Sequence, residues 1–239
     1  MNLVIDSGNT RIKAALFNNA TLVLKESFGN VADLNVFLKS VQFTHALVSS
    51  VSTNPQEILT LIHNAGKKLI LNYQLPLPIK INYATPHTLG MDRIASACGA
   101  FEVFPNQNCL VIDAGTCINT EFIDRSGTYQ GGSIAPGITM RFKAMHTFTQ
   151  SLPLLTASAQ APLTGNNTEA CMQSGVLNGA LAEVNGMIEQ YQQQYENLKV
   201  ILCGGDYPLF ENKLKHAIFV APDLVLTGLN RILRYHAEF

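Results

Sequence analysis

The chain has 239 residues, 47% of them hydrophobic and 14% charged, enough to bury one large core or two compact ones. Sixteen basic against seventeen acidic side chains leave a formal charge of −1, so nothing in the balance is suited to gripping a nucleic-acid backbone. Mean hydropathy of +0.14 excludes extended disorder, and no apolar run nears the ~18 residues of a membrane span.

The first residues, Met1-Asn2-Leu3-Val4-Ile5-Asp6, place an acid where a signal peptide would continue its apolar core, so a cytoplasmic location is expected. Leu3-Val4-Ile5 is a short run apolar on every side, the pattern of a buried central strand. It ends in Asp6-Ser7-Gly8-Asn9-Thr10. Ile12, Ala14 and Leu16 then alternate with Arg11 and Lys13 as an amphipathic strand, and residues 21–27 read as a third strand after the Asn18-Asn19 turn. Val31, Leu34, Leu38 and Val41 predict a helix, with Asp33 favouring its positive end. Residues 45–48 read as a strand, 55–65 as a helix and 69–71 as a strand. An apolar helix follows Gly90-Met91-Asp92-Arg93, over residues 94–104.

The opening pattern then returns. Leu110-Val111-Ile112-Asp113-Ala114-Gly115-Thr116 repeats the apolar run, the Asp, the small residue, the Gly and the hydroxyl. Two strands over 118–123 and 128–134 flank a turn at Arg125-Ser126-Gly127, giving a second meander. Leu177, Leu181, Val184, Ile188, Tyr191 and Tyr195 form one long helical stripe. A strand at 200–202 runs into Gly204-Gly205-Asp206, and helices are expected over 209–214 and 224–235 around a short strand at Phe219-Val220. Two similar α/β halves are therefore expected, 1–106 and 107–239, with a cleft between them and the last helix a candidate to pack back on the first half. Five cysteines without C-x-x-C spacing, and six scattered histidines, predict a reduced protein without a transition metal.

The Asp-x-Gly turns carry the clearest chemistry. Glycine lets backbone N–H groups approach a phosphate, a Thr hydroxyl adds a donor, and Asp at the strand end offers hard oxygen to Mg²⁺. One such turn is ordinary hairpin chemistry; two that end matching strands point to a polyphosphate ligand. Arg11 and Lys13 add cationic donors. Asp92 and Arg93 admit two readings: a capping pair at a helix start, or a general base beside a cation that holds a substrate carboxylate or carbonyl. Gly131-Gly132-Ser133-Ile134-Ala135-Pro136-Gly137 suits backbone close to a ligand or close packing between subunits, and Gly204-Gly205 suits a flat adenine ring.

Taken in order, these motifs resemble the type III pantothenate kinases, of the actin, sugar-kinase and heat-shock-protein-70 superfamily. The resemblance extends through His146-Thr147-Phe148-Thr149-Gln150-Ser151-Leu152-Pro153, Thr168-Glu169-Ala170-Cys171-Met172-Gln173-Ser174-Gly175 and Leu226-Thr227-Gly228-Leu229-Asn230. It implies two ribonuclease H-like α/β domains of the actin-like ATPase fold, with the active site in the interdomain cleft. It also implies ATP-dependent phosphorylation of pantothenate at the 4′-hydroxyl, the first step of coenzyme A synthesis, with Mg²⁺, a monovalent cation (K⁺ or NH₄⁺) and a homodimer. Carried over by position, Asp6, Ser7, Gly8, Asn9, Thr10, Arg11, Ile12 and Lys13 hold ATP phosphates, Asp6 also serving Mg²⁺. Thr116 contacts nucleotide, Gly204 and Gly205 face adenosine, and Asp113 is the monovalent-cation ligand. Asp92 is the proton acceptor; Tyr83, Gly90, Met91, Asp92, Arg93 and Thr168 contact pantothenate, Thr168 from the partner subunit in some members. The chain departs from the family pattern at Asn119, Glu121 and Cys203. The competing readings are a non-catalytic ATP-binding regulator on the same fold and another small-molecule kinase; both phosphate turns together with Asp92 favour the enzyme.

Overall fold

Apolar runs that end at glycine become the central strands of two sheets in the computed structural model, which describes residues 1–63, 65–158 and 160–237. One compact unit comprises Met1–Asn106, Ile123–Gln130 and Asp223–Phe239; the other comprises Gln107–Phe122 and Gly131–Pro222. This differs from a continuous 107–239 half in two stretches, a hairpin tip and the last helix, which group with the first unit.

In the first unit β1 (Asn2–Ser7) lies antiparallel to β2 (Ile12–Asn18), which pairs with β3 (Thr21–Phe28). On its other side β1 runs parallel to β4 (His45–Ser50), which is parallel to β5 (Lys67–Ile70), giving the order β3-β2-β1-β4-β5. Leu3, Val4 and Ile5 are fully buried, as a run apolar on both faces requires. β2 is not amphipathic as its alternation suggested: Ala14, Ala15, Leu16 and Phe17 are all buried, because both faces of this interior strand are covered. One face meets α1 (Val31–Ser40), whose N-terminus is capped when Asn30 Oδ1 accepts from Asp33 N at 2.9 Å. α2 (Pro55–Thr60) is shorter than the expected 55–65, since Leu61 N–H turns back three residues to Ile58 O. Asn64 lies outside the described residues.

The strand expected at 69–71 lies earlier, as β5, and a two-residue strand β6 (Lys80–Ile81) went unpredicted. α3 (Met91–Val103) takes Asp92 and Arg93 into its first turn. α6 (Leu224–Ala237) packs along α3 and against β1, β2 and β4. Their approach is tight enough that a β-carbon on Gly228 would stand 1.7 Å from Ala95 O, and one on Gly99 2.4 Å from Leu224 O. Buried Asn230 ties this helix to the sheet, accepting from Asn2 Nδ2 at 3.1 Å and donating to Asn19 O at 2.8 Å.

The second unit repeats the order. β7 (Cys109–Ala114) is central, parallel to β10 (Lys199–Cys203), which is parallel to β11 (Phe219–Val220). β8 (Cys117–Ile123) and β9 (Thr128–Pro136) complete the order β11-β10-β7-β8-β9. The first residues of β9 group with the first unit and there pair with β6, Lys80 opposite Thr128 and Ile81 opposite Tyr129. α4 (Ile138–Phe148) and α5 (Thr168–Gln194) bury Phe142, Met172, Val176, Ala180, Val184 and Ile188 with Ile112 and Leu202 of the sheet. α5 starts nine residues ahead of Leu177, the first member of the predicted stripe, where Asn167 caps it. Residues 209–214 do not form the expected helix: a 3-10 turn at Tyr207–Leu209 gives way to turns whose N–H groups reach back three or four residues without a sustained ladder.

Candidate active site

The first Asp-x-Gly turn closes when Gly8 N–H donates to Arg11 O at 3.1 Å, in the hairpin that sets Asp6 opposite Lys13. Ser7 is fully buried, its Oγ 3.3 Å from Ser52 Oγ, while Ser52 Oγ donates to Gly8 O at 2.9 Å. Ser50 Oγ donates to Thr53 O. The loop after β4 therefore braces the turn, a hydroxyl scaffold that the sequence reading did not single out. Asn9, Thr10 and Arg11 are exposed at the turn's tip. The Arg11 guanidinium donates to Ser27 Oγ at 2.7 Å and Ser27 O at 2.9 Å, which binds it to β3.

Tyr83, Gly90, Asp92 and Arg93 form a second cluster in this unit. Gly90 is the N-cap of α3 and offers no side-chain cap; Asp92 Oδ1 accepts from the N–H of Arg93 at 2.9 Å. The carboxylate thus takes a donor from the N-terminal turn of the helix, and it is half-buried. A β-carbon at Gly90 would stand 2.5 Å from that Oδ1. Arg93 is 7% exposed, with its guanidinium carbon 6.0 Å from the centroid of the Tyr83 ring, a cation–π distance. Met91, the first helical residue, is half-buried.

In the second unit Gly115 N–H donates to Cys117 O at 2.8 Å, making a tight turn with Thr116 exposed on it. Gly137 presses the N-terminus of α4 against this turn: its N–H donates to Thr116 O at 3.2 Å, and a β-carbon there would meet Gly115 O at 2.2 Å. The positive end of a helix without a side-chain cap beside Thr116 favours an anion. Gly132 is likewise spent on close packing inside the unit, its β-carbon position 1.7 Å from Thr120 O. Parallel β7 and β10 set Asp113 opposite Cys203, so Asp113 and Gly204 come together at the carboxyl ends of neighbouring strands, where α/β sheets bind ligands. Gly204, at φ 90°, would direct a β-carbon to 2.2 Å from Ala114 O and 2.4 Å from Asp113 Oδ1; Gly205 faces open space. Asp206 N–H donates to Ala114 O at 2.8 Å, and burial holds its carboxyl above the ordinary range.

Thr168 opens α5 and is exposed. Among the described residues no group of three or more His, Cys, Asp or Glu converges as a metal cage, and no helix is long and apolar enough to cross a membrane.

Two units of matching strand order, each with an Asp-x-Gly turn at the carboxyl end of its central strand, define the actin-like ATPase and sugar-kinase class of fold. Solved structures agree: a Campylobacter jejuni protein described as a candidate Baf family transcriptional activator superposes with a TM-score of 0.67 at 21% identity, covering 99% of this chain and 100% of its own. A glucokinase from an Antarctic psychrotroph superposes at 0.53 and 13% identity, covering 98% of each. The family model for type III pantothenate kinase matches residues 2–190, and a type III pantothenate kinase of Cytophaga hutchinsonii is 44% identical over 99% of this chain and 100% of its own. The chain belongs to the type III pantothenate kinase family.

Proposed function

We propose that this chain transfers the γ-phosphoryl group of ATP to the 4′-hydroxyl of pantothenate, the first step of coenzyme A synthesis. The observation that carries the reading is the near-full-length likeness to relatives named for that activity. Phosphoryl transfer asks a protein chiefly for positioning and charge neutralisation. Because Gly8 N–H is used within its own turn, phosphate contacts from Asp6–Lys13 fall to Asn9 and Thr10 at the tip and to Lys13 on β2 opposite Asp6, with Ser7 as the buried brace. Thr116 and the α4 N-terminus hold further phosphate oxygen, and the open face of Gly205 takes the adenine. Arg93 holds the pantothenate carboxylate, with Tyr83 beneath it, and Thr168 completes that pocket from a second copy. Asp92 accepts the hydroxyl proton as the new phosphorus–oxygen bond forms.

The donor set fits hard cations. Asp6, the next-to-last residue of β1, has a half-buried carboxylate that would hold Mg²⁺, which would supply charge neutralisation on the polyphosphate. Asp113, at the carboxyl end of β7, has a half-buried carboxylate that would hold K⁺ or NH₄⁺. A cytoplasmic homodimer belongs to the same reading: Ile134, Phe148, Leu154 and Leu163 of the second unit are exposed, and Gly175, Gly179 and Gly186 leave open space along α5.

The test is ADP release from ATP and Mg²⁺, with pantothenate present or omitted, in K⁺ and then Na⁺ buffer. Pantothenate-dependent turnover that requires K⁺ is expected. Asp92→Asn should lower kcat by about 10²–10⁴-fold with the KM for ATP little changed. ATP binding without pantothenate-dependent turnover would instead favour the nucleotide-binding regulator.

A further inference from the structure

We infer that Tyr129, at the start of β9, is a positioning residue for pantothenate, acting through Tyr83 and Arg93; the inference rests on the functional reading above. Tyr129 has no exposed surface, and its ring centroid lies 6.2 Å from that of half-buried Tyr83 with the planes at 37°. Tyr83 in turn lies under the Arg93 guanidinium. The backbone around Tyr83 is fastened to the same hairpin tip: Lys80 N–H donates to Gly127 O and Asn82 N–H to Tyr129 O, both at 2.9 Å. Asn82 Nδ2 adds a bond to Gln130 Oε1 at 2.7 Å, and Gln130 Nε2 donates to Asp124 Oδ2 at 2.7 Å.

The tip also seats on the helix that bears the catalytic turn. Gly127, at φ 75°, leaves room for Phe101 of α3, whose ring carbon lies 3.0 Å from where a β-carbon would stand. One rigid hairpin therefore fixes the substrate loop and α3 against each other. Without it, an aromatic ring on a loop flanked by exposed Asn82 and Ala84 would sample several rotamers. Tyr129 removes that freedom by packing, so Arg93 keeps a single platform from which to meet the substrate carboxylate. The Asp92 carboxylate takes no part in the side-chain stack: it accepts from the backbone N–H of Arg93, whatever the position of the Arg93 guanidinium. The two functions separate: the stack sets affinity for pantothenate, and the helix terminus sets the proton acceptor.

The experiment measures steady-state kinetics and calorimetric pantothenate binding for wild type, Tyr129→Leu, Tyr129→Phe and Asn82→Ala, with thermal unfolding of each. Tyr129→Leu is expected to raise the KM for pantothenate about tenfold, with kcat and the KM for ATP within about twofold. Tyr129→Phe, which keeps the ring, restores the wild-type KM. Asn82→Ala, a surface change that leaves the core intact, raises it in the same direction. A normal wild type beside an unmoved pantothenate KM in Tyr129→Leu overturns this inference alone. If Tyr129→Leu does not fold, an unmoved KM in Asn82→Ala overturns it. A wild type that neither binds pantothenate nor turns it over overturns the functional reading and this inference with it.

Discussion

A missing β-carbon governs where the Asp92 carboxylate sits. Gly90→Ala would place that carbon 2.5 Å from Oδ1, and the carboxylate, being the mobile partner, must swing off the Arg93 N–H. The expected result is a kcat at least about tenfold lower at nearly unchanged thermal stability, since an N-cap Gly-to-Ala change costs only about 1 kcal/mol. At Gly204 the obstacle is backbone, and φ is 90°, so Gly204→Ala should destabilise the second unit by ~2–4 kcal/mol, read as a lowered urea midpoint. Asp206 beside it yields a pH dependence. Burial raises its folded-state pKa above the unfolded value, so its contribution is full below the unfolded pKa and lost as pH rises through the folded one. Asp206→Asn should therefore raise Tm relative to wild type at neutral pH, the gap closing as pH falls toward about 4. At this scale the steric constraints on the glycines were not legible in the sequence. Gly131-Gly132 and Gly137 read as ligand or subunit contacts, whereas Gly132 and Gly137 serve packing inside the second unit, a role visible only once β8, β9 and α4 are in place.

Among the elements, the crossing of α3 and α6 and the pairing of β8 with β9 carry equally tight steric demands, 1.7 Å from a β-carbon position to a carbonyl oxygen in each. With Ala95 O only 1.7 Å from the β-carbon position of Gly228, Gly228→Ala should force the helices apart and cost more than about 2 kcal/mol, seen in the denaturant midpoint of the first unit. Glu102 reinforces the pairing, bound to Arg234 Nη1 at 2.7 Å and Arg231 Nε at 3.1 Å. The long periodic stripe of α5 was legible because an apolar face repeats over several turns. The two-residue β6 was not, since a strand that short has no period and exists by pairing with residues almost fifty positions away. Residues 209–214 misled for a related reason: their apolar positions fit a helix, but packing of Phe210 in the core stabilises a turn instead.

Over the whole molecule the duplicated topology was readable from the repeated Asp-x-Gly run, which ends the central strand in both sheets. The discontinuity of the first unit was only hinted at, because the pairing of Asn2 with Asn230 spans 228 positions and leaves no local signature. Cysteine reactivity is a whole-chain readout of this packing. Burial drives the Cys98 thiol far up and pushes Cys109 to about 12, whereas Cys171 is exposed on α5. Alkylation of the native protein should spare Cys98 and Cys109 until unfolding, as peptide mass mapping would show.

The return of α6 to the β1 sheet bears on the order in which the chain can mature during synthesis. Every residue from Gln107 to Pro222 leaves the ribosome before the helix that the first unit awaits. Its buried Asn2 and the apolar face of β1 must stay uncovered, within reach of chaperones, until translation has passed Asp223. A polypeptide released earlier would leave that sheet open, so truncated products should be cleared by proteolysis rather than persist as half-functional kinases.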